Sequence, residues 1–319
     1  MCSFGVARTL ERSTIVRSRS LPWPQRLTLA GLGALSHLAS GAAARIAERL
    51  FLTPPRHPMP ERERDLLARA RRGTVLVAGR RIAVWSWGAG PRVLLVHGWG
   101  GRGAQLGAFV EPLVASGFSV AWFDGPAHGA SEGRQTTFPE LAAALRGVAA
   151  AVGPVRGIVA HSGGGPVSGW AIRRWLLDGY VDVPEAIVLI APPADFRGYL
   201  ERFVEACRLT APARDRLNRR LEARIGVAPE AFDLPRFAAD LPLSALVVHD
   251  RADTEVRWAE GAAVAAAWPG AELVTTQGLG HRRILRDPGV VTRVTAFLSE
   301  RTVPDADRAE PSSAPSMLC

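Results

Sequence analysis

Short apolar runs that alternate with helical patterns are the feature that most constrains the fold of this chain. Six runs have the length of single strands, RVLLVHG, FSVAWFD, VRGIVAHS, EAIVLIAP, LSALVVHD and AELVTT, and two more, TVLVAG and RIAVWSWG, precede them. Helical patterns follow the first three of these six runs, around residues 104–116, 137–152 and 166–178, and a closing helix covers residues 289–300. Runs that are apolar throughout are typical of strands buried on both faces. The sequence therefore predicts the α/β class, with a mostly parallel eight-stranded sheet and helices on both faces.

The remaining segments divide the chain into regions. Residues 195–240 lie between the sixth and seventh predicted strands, are charged and helical, and contain no strand pattern. They are predicted to be a short helical cap inserted in a domain that spans residues 61–300. Residues 1–60 form an Arg-rich N-terminal arm, with an apolar helix and the Pro-rich linker LTPPRHPMP. Residues 301–319, rich in Pro, Ser and Ala, are predicted to be a disordered tail.

The arm allows more than one interpretation. Residues 27–44 contain no charged side chain and follow a basic segment, as in a signal peptide or membrane anchor. Gly, Ser and His make the stretch weakly apolar for a membrane span. An apolar helix face is indicated by Leu32, Leu35, Leu38, Ile46 and Leu50. We expect this helix to pack on the domain or, through residues 27–52, on a membrane surface; a misassigned start codon stays open. The expected location is the cytoplasm, with association at the inner membrane as the alternative.

Charge and cysteine content exclude several partner classes. The formal net charge is +9, and the sequence contains Arg but no Lys. Eight Arg and two Glu in residues 1–60 give +6 of that +9. Because the excess lies in the arm and not on the domain, no nucleic-acid partner is expected. The three cysteines, Cys2, Cys207 and Cys319, are far apart, which predicts neither a metal site nor a disulfide framework.

Ser162 lies in the segment GIVAHSGGG, between the end of a predicted strand and a helix that begins near Pro166. A sharp turn at this junction brings strand and helix backbones close together. It therefore needs small residues two positions before and after the serine, where the sequence has Ala160 and Gly164. Ser162 is either a nucleophile on this turn or part of a purely structural Gly-rich loop.

A serine hydroxyl needs a base to become a nucleophile, and the base needs an acid that orients it. His281 follows the eighth predicted strand in GLGHRRIL, and Asp253 follows the seventh in HDRADTEV. Parallel strands place these loops and Ser162 at one edge of the sheet. Asp250 is the second choice for the acid.

Five motifs occur in order over about residues 73–300: HGWG, DGPAHGAS, AHSGG, HDRADTEV and GLGHRRIL. With these five motifs in this order, the chain resembles the α/β-hydrolase superfamily, in its bacterial serine esterase-like branch. The resemblance implies the α/β-hydrolase fold and a triad of nucleophile Ser162, acid Asp253 and base His281. It implies no metal and no organic cofactor.

The resemblance also assigns an oxyanion hole to the backbone amides of Trp99 and Gly163. The indole of Trp99 is in addition a candidate for the acyl pocket. His97 and His128 are expected to stabilise loops. The side chain of His161 is expected to point away from the site.

The activity implied is cleavage of a small-molecule carboxylic ester or thioester through an acyl-enzyme on Ser162. Candidate substrate-binding residues are Trp99 and three aromatic residues of the cap, Phe196, Tyr199 and Phe203. The alternatives are a cofactor-free C–C bond hydrolase with the same triad, a lipase at a membrane surface, and a ligand-binding module without turnover. The sequence does not indicate an oligomeric state.

Overall fold

The computed structural model of the protein describes residues 23–302. The start of the predicted arm, residues 1–22, and all but the first two residues of the predicted tail lie outside the described residues. The division into arm, domain and tail stays a prediction.

The described chain contains a sheet of eight strands in the order β1-β2-β4-β3-β5-β6-β7-β8. The strands are β1 Arg71–Val77, β2 Arg80–Trp87, β3 Arg92–Val96, β4 Ser119–Phe123, β5 Val155–His161, β6 Ala186–Ile190, β7 Ser244–Asp250 and β8 Glu272–Thr276. Strand β2 pairs antiparallel with β1 and with β4, and every other pairing is parallel. The predicted eight-stranded, mostly parallel sheet is confirmed.

Helices connect the strands and extend before and after the sheet. They are α1 Trp23–Leu38, α2 Ser40–Phe51, α3 Glu61–Arg69, α4 Val110–Ala115, α5 Phe138–Val152, α6 Gly164–Leu177, α7 Phe196–Ala206, α8 Ala211–Ile225, α9 Trp258–Ala267, α10 Gly280–Arg283 and α11 Pro288–Arg301. Short 3₁₀ helices occur at Gly103–Phe109, Pro229–Phe232, Leu234–Arg236, Ala238–Asp240 and Ile284–Arg286. Helix α5 begins with a capping box, in which Thr137 and Glu140 satisfy each other's backbone amides.

Both faces of the sheet are covered, which explains the uniformly apolar strands. In β3, Leu94 and Val96 join one buried cluster with residues of α5, α6 and the region 195–240. The alternate residues Val93 and Leu95 join a second cluster with α4 and α11 on the opposite face. Successive side chains of a strand point to opposite faces, so a strand buried on both sides carries apolar residues at every position. The predicted helices on both faces are confirmed.

The strand order reverses at β3, whose neighbours are β4 on one side and β5 on the other. Val96 at the end of β3 pairs with Ala160 near the end of β5, so the loops that follow these strands start side by side. At the end of β7, Asp250 pairs with Thr276 of β8. Open α/β sheets bind ligands at such a carboxyl edge, next to the switch in strand order.

Helices α7 and α8 and three 3₁₀ turns lie between β6 and β7, in the region predicted to be the cap. Helix α2 packs against α8, and its residues Ala43, Ala44 and Ala47 are fully buried. Small side chains allow the two helix backbones to approach closely. The Arg220 guanidinium also donates from Nε to Glu48 Oε2 at 2.5 Å. Helix α2 is therefore packed onto the region predicted to be the cap.

The prediction of one apolar helix face in the N-terminal arm is wrong in detail. Leu32 is buried, but Leu38, Ile46 and Leu50 are exposed by 88%, 42% and 40%. The helix breaks at Ala39, whose φ and ψ are −147° and 73°, so α1 and α2 do not share one continuous face. Each helix that begins and ends within residues 23–302 is too short or too polar to cross a bilayer. Cytoplasmic location and membrane-surface association stay predictions.

A buried ion pair fixes the Pro-rich segment between α2 and α3. Arg102, in the loop after β3, donates from Nε to Glu63 Oε2 at 2.5 Å, and both side chains are buried. Its other nitrogens donate to the carbonyl oxygens of His57 and Pro58 at 2.9 and 3.0 Å. One guanidinium thus holds residues 57–63 against the carboxyl edge of the sheet.

We expect Arg102→Ala to lower the free energy of unfolding by about 3–5 kcal/mol, because it leaves Glu63 as a buried charge without its partner. Arg69→Ala is the matched control, since Arg69 and Glu111 form an ion pair at 2.9 Å with both side chains largely exposed. That substitution should cost at most about 1 kcal/mol. Urea unfolding measures both values, and equal losses would contradict the role given to Arg102.

Candidate active site

Ser162 lies on a sharp turn between β5 and α6. Its φ of +51° is in the left-handed region, which is rare for residues other than glycine. Two backbone hydrogen bonds fix this conformation. The Ser162 amide donates to Ile190 O of β6 at 2.9 Å, and the Gly165 amide donates to Ser162 O at 2.9 Å. A strained residue of this kind persists only where its surroundings determine it, and such residues cluster at functional sites.

The turn requires small neighbours because the backbones nearly touch. A Cβ atom on Gly164 would lie 2.7 Å from the carbonyl oxygens of both Val96 and His97. A Cβ atom on Gly98 would lie 2.8 Å from Ser162 Cβ. Two positions before the serine, the methyl group of Ala160 is accommodated and fully buried. Glycine is therefore needed after the serine, whereas alanine suffices before it.

The loops after β3 and β5 bring together the two residues predicted to supply oxyanion amides. A Cβ atom built on Gly163 would lie 3.6 Å from the backbone nitrogen of Trp99. Both residues line the same cavity as Ser162. This proximity follows from the pairing of β3 with β5.

His281, in α10, is hydrogen-bonded to Asp253. Its Nδ1–H donates to Asp253 Oδ2 at 2.7 Å, and Asp253 Oδ1 accepts from the amides of Glu255 and Val256 at 2.8 and 3.0 Å. Burial alone would raise the pKa of the Asp253 carboxyl, but hydrogen bonds from His249 and His281 outweigh it and hold that pKa below its usual value. An ionised Asp253 keeps the proton of a neutral His281 on Nδ1, which leaves Nε2 able to accept another.

Asp250, the second choice for the acid, has a different set of partners. Its Oδ2 accepts from Thr276 Oγ1 at 2.7 Å and from the Leu279 amide at 3.0 Å. Its Oδ1 accepts from the Ala252 amide at 2.8 Å. Asp250 thus ties the end of β7 to β8 and to the loop that leads to His281. The structure places Asp253, and not Asp250, on the imidazole.

Ser162, Gly163, Trp99 and His281 line one cavity of about 380 Å³. The N-terminal segment contributes residues such as His57 to its wall. Within residues 23–302 no hydrogen bond joins Ser162 Oγ to the His281 ring, and catalytic hydrogen bonds often tighten only when substrate binds. Over the same residues, no group of three or more His, Cys, Asp or Glu side chains is placed to hold a metal ion.

Comparisons with known proteins agree with this architecture. The family profile described as TAP-like protein matches residues 229–310, which include Asp253 and His281. An esterase structure from Pyrococcus furiosus is 19% identical with a TM-score of 0.58, covering 79% of this chain and 98% of that chain. A thermophilic esterase from Thermogutta terrifontis is 20% identical with a TM-score of 0.55, covering 73% and 100%. A bromoperoxidase from Bacillus anthracis is 17% identical with a TM-score of 0.55, covering 72% and 100%.

The chain is an α/β-hydrolase by fold. The predicted resemblance to the α/β-hydrolase superfamily is confirmed at the level of the fold. A search of curated proteins found no significant match. At such low identities the structural likeness shows the fold and not the reaction.

Three of the predicted substrate-binding residues, Trp99, Phe196 and Tyr199, line the cavity. Phe203 lies outside that lining, and its prediction is corrected. Its ring packs against Phe51 of α2, with the ring centroids 5.0 Å apart. Phe51 thus covers the side chain of Phe203 that the sequence pattern assigned to the pocket.

Two further aromatic residues near the site were not predicted. Phe138 lies at the start of α5, and its Cζ would be 3.3 Å from a Cβ atom built on Gly163. Phe51 reaches the same region from the N-terminal segment. The capping box before Phe138 indicates a helix start but not a pocket wall, and no local pattern relates Phe51 to the site.

Two histidines stabilise the loops of the α/β-hydrolase fold, as predicted. His97 accepts at Nε2 from the Gly125 amide at 2.8 Å. His128 accepts at Nε2 from the Gly100 amide at 3.0 Å and donates from Nδ1 to Pro126 O at 3.0 Å. Burial, together with the neighbouring His97, lowers the pKa of His128 to about 3. A neutral His128 therefore holds the HGWG loop in place.

The expectation that His161 points away from the site is wrong. Its ring lies 4.7 Å from the His281 ring, and its Nε2–H donates to the backbone oxygen of His281 at 2.9 Å. Burial, and then repulsion from a charged His281, lower the pKa of His161 to about 3. The last residue of β5 faces the loop after β8, because that loop folds back over the edge of the sheet.

We expect buried His128 to make the protein less stable in acid. The unfolded chain binds this proton near pH 6.5 and the folded chain only near pH 3, so stability falls as the pH decreases between these values. Below pH 6, His128→Gln should reduce the slope of the free energy of unfolding against pH by about 1.4 kcal/mol per unit. Urea unfolding from pH 7.5 to 4.5 measures the slope.

His37→Gln, which removes an exposed histidine of α1, is the control for that series. Parallel curves for wild type and His128→Gln would show that His128 takes up no additional proton on unfolding.

Proposed function

We propose that the protein is a serine hydrolase that cleaves a carboxylic ester or thioester through an acyl-enzyme on Ser162. The observation that carries this proposal is the 2.7 Å hydrogen bond between His281 and Asp253, in one cavity with a serine held at positive φ. A weak nucleophile, a base and an orienting acid are the groups that acyl transfer needs.

In the first step, His281 Nε2 accepts the hydroxyl proton while Ser162 Oγ attacks the substrate carbonyl carbon. Asp253 stabilises the imidazolium that forms and keeps the ring in the required tautomer. The negative charge that develops on the carbonyl oxygen is bound by the backbone amides of Trp99 and Gly163. Such preorganised donors commonly give the largest single contribution to catalysis.

In the second step, the tetrahedral intermediate collapses and the bond to the alcohol or thiol breaks. His281 donates its proton to this leaving group, which departs. A water molecule then gives a proton to His281 and attacks the acyl carbon. The carboxylic acid leaves and the proton returns to Ser162 Oγ. An ester and a thioester use the same groups.

Replacement of Ser162 tests the nucleophile. We expect Ser162→Ala to reduce the turnover of p-nitrophenyl esters, from acetate to palmitate, by about 10⁶-fold. Labelling of the protein by a fluorophosphonate should disappear as well. Ser168→Ala is the matched control, because the Ser168 hydroxyl is buried in α6 and has no hydrogen-bond partner among the described residues. A variant without Ser162 that is still labelled would contradict the proposal.

The two aspartates after β7 provide a second test. Asp253→Asn should lower kcat by about 10⁴-fold, because an amide no longer favours the tautomer that His281 needs. Asp250→Asn should lower kcat much less, since Asp250 contacts the loop before His281 and not the imidazole. Steady-state kinetics compare the two variants, and equal losses would remove the distinction between the two aspartates.

A further inference from the structure

A narrow apolar recess of about 20 Å³ opens beside the candidate active site. Four aromatic residues line both the recess and the main cavity, Trp99, Phe138, Phe196 and Tyr199. Because Phe138 contacts the Cβ position of Gly163, the recess begins next to the proposed oxyanion hole. A carbonyl group bound there would direct an attached apolar chain into the recess.

A second cavity, also of about 20 Å³, lies beyond the recess, between α7 and α8. Leu200, Leu221 and Val227 are among its apolar walls. Three side chains line both spaces, Phe51, Phe196 and Ile225. These three form a wall, called here the partition, between the recess and the second cavity.

Phe51 is the member of the partition that comes from the N-terminal segment, and it is firmly held. Its ring centroid lies 6.4 Å from that of Phe196 and 6.0 Å from that of Tyr199. The carbonyl of the next residue, Leu52, accepts from the Thr136 amide at 2.9 Å, directly before α5. Since α2 is also packed on α8, the ring cannot move aside without disturbing the cap region.

We propose that the partition of Phe51, Phe196 and Ile225 is the end wall of the acyl pocket and restricts the substrate to a compact apolar acyl group. This proposal rests on the proposed function and adds the substrate class. A longer acyl chain meets the partition, and truncation of Phe51 or Ile225 joins the recess to the second cavity.

The experiment measures kcat/KM for p-nitrophenyl acetate, butyrate, hexanoate, octanoate and decanoate. Wild type should be most active on the shorter esters. In Phe51→Ala and in Ile225→Ala, the ratio of kcat/KM for octanoate to that for butyrate should rise about tenfold or more, because a pocket distinguishes apolar groups by about this factor per added methylene.

Phe237→Ala is the matched control. Like Phe51, Phe237 is a buried phenylalanine. It lies in the region 195–240 but lines neither the recess nor the second cavity. Its loss should change stability without changing the preference for chain length. Thermal unfolding shows which variants are folded, and Ile225→Ala carries the test if Phe51→Ala does not fold.

Binding of fatty acids from four to twelve carbons, measured by calorimetry, separates this proposal from the proposed function. If wild type hydrolyses no ester, the proposed function fails, and a gain of affinity for the longer acids in the partition variants still supports the wall. If the partition variants that fold keep the chain-length preference of wild type, the partition does not limit the acyl group and the proposal is overturned.

Discussion

The approach of Gly164 to the carbonyl oxygens of Val96 and His97 is the contact on which the candidate site depends. It lets the backbone after β5 turn sharply beside the end of β3, and it holds Ser162 at positive φ. The same proximity brings Gly163 beside Trp99. Because this arrangement follows from backbone packing in a buried parallel sheet, the serine and the proposed oxyanion amides are positioned by closely packed backbone.

The other half of the site is positioned by hydrogen bonds between loops. Asp250 connects β7 to the segment that leads to His281, and His161 binds the His281 carbonyl from the neighbouring strand. His128 holds the HGWG loop in a similar way. These groups are buried, so leaving any of them without its hydrogen-bond partner would cost free energy. The network therefore favours one arrangement of the loops. Residues without a chemical role thus set the geometry of those proposed to have one.

The sheet, and the meeting of the loops that carry Ser162, Asp253 and His281, could be predicted because both depend on local sequence. Strands buried on both faces are continuous apolar runs, and loops after parallel strands meet at one edge, which placed Asp253 and His281 near Ser162. The orientation of His161 depends on how a distant loop folds back, and no spacing encodes it. The contact of Phe51 with Phe203 likewise arises from packing between segments far apart in the chain. The break at Ala39 separates α1 from α2, so the buried face predicted for one continuous helix was misplaced.

The position of Phe51 has a consequence for how the protein is made. During synthesis α1 and α2 leave the ribosome before any strand of the sheet, whereas α7 and α8, on which they pack, follow after β6. The alanine face of α2 and the ring of Phe51 therefore remain without their partners until more than half of the chain has been translated. Contacts between segments so distant form late in folding. When α7 and α8 emerge, β1 to β6 have already been translated, including the strand that leads to Ser162. Until then α2 exposes apolar surface of the kind that promotes aggregation of nascent chains.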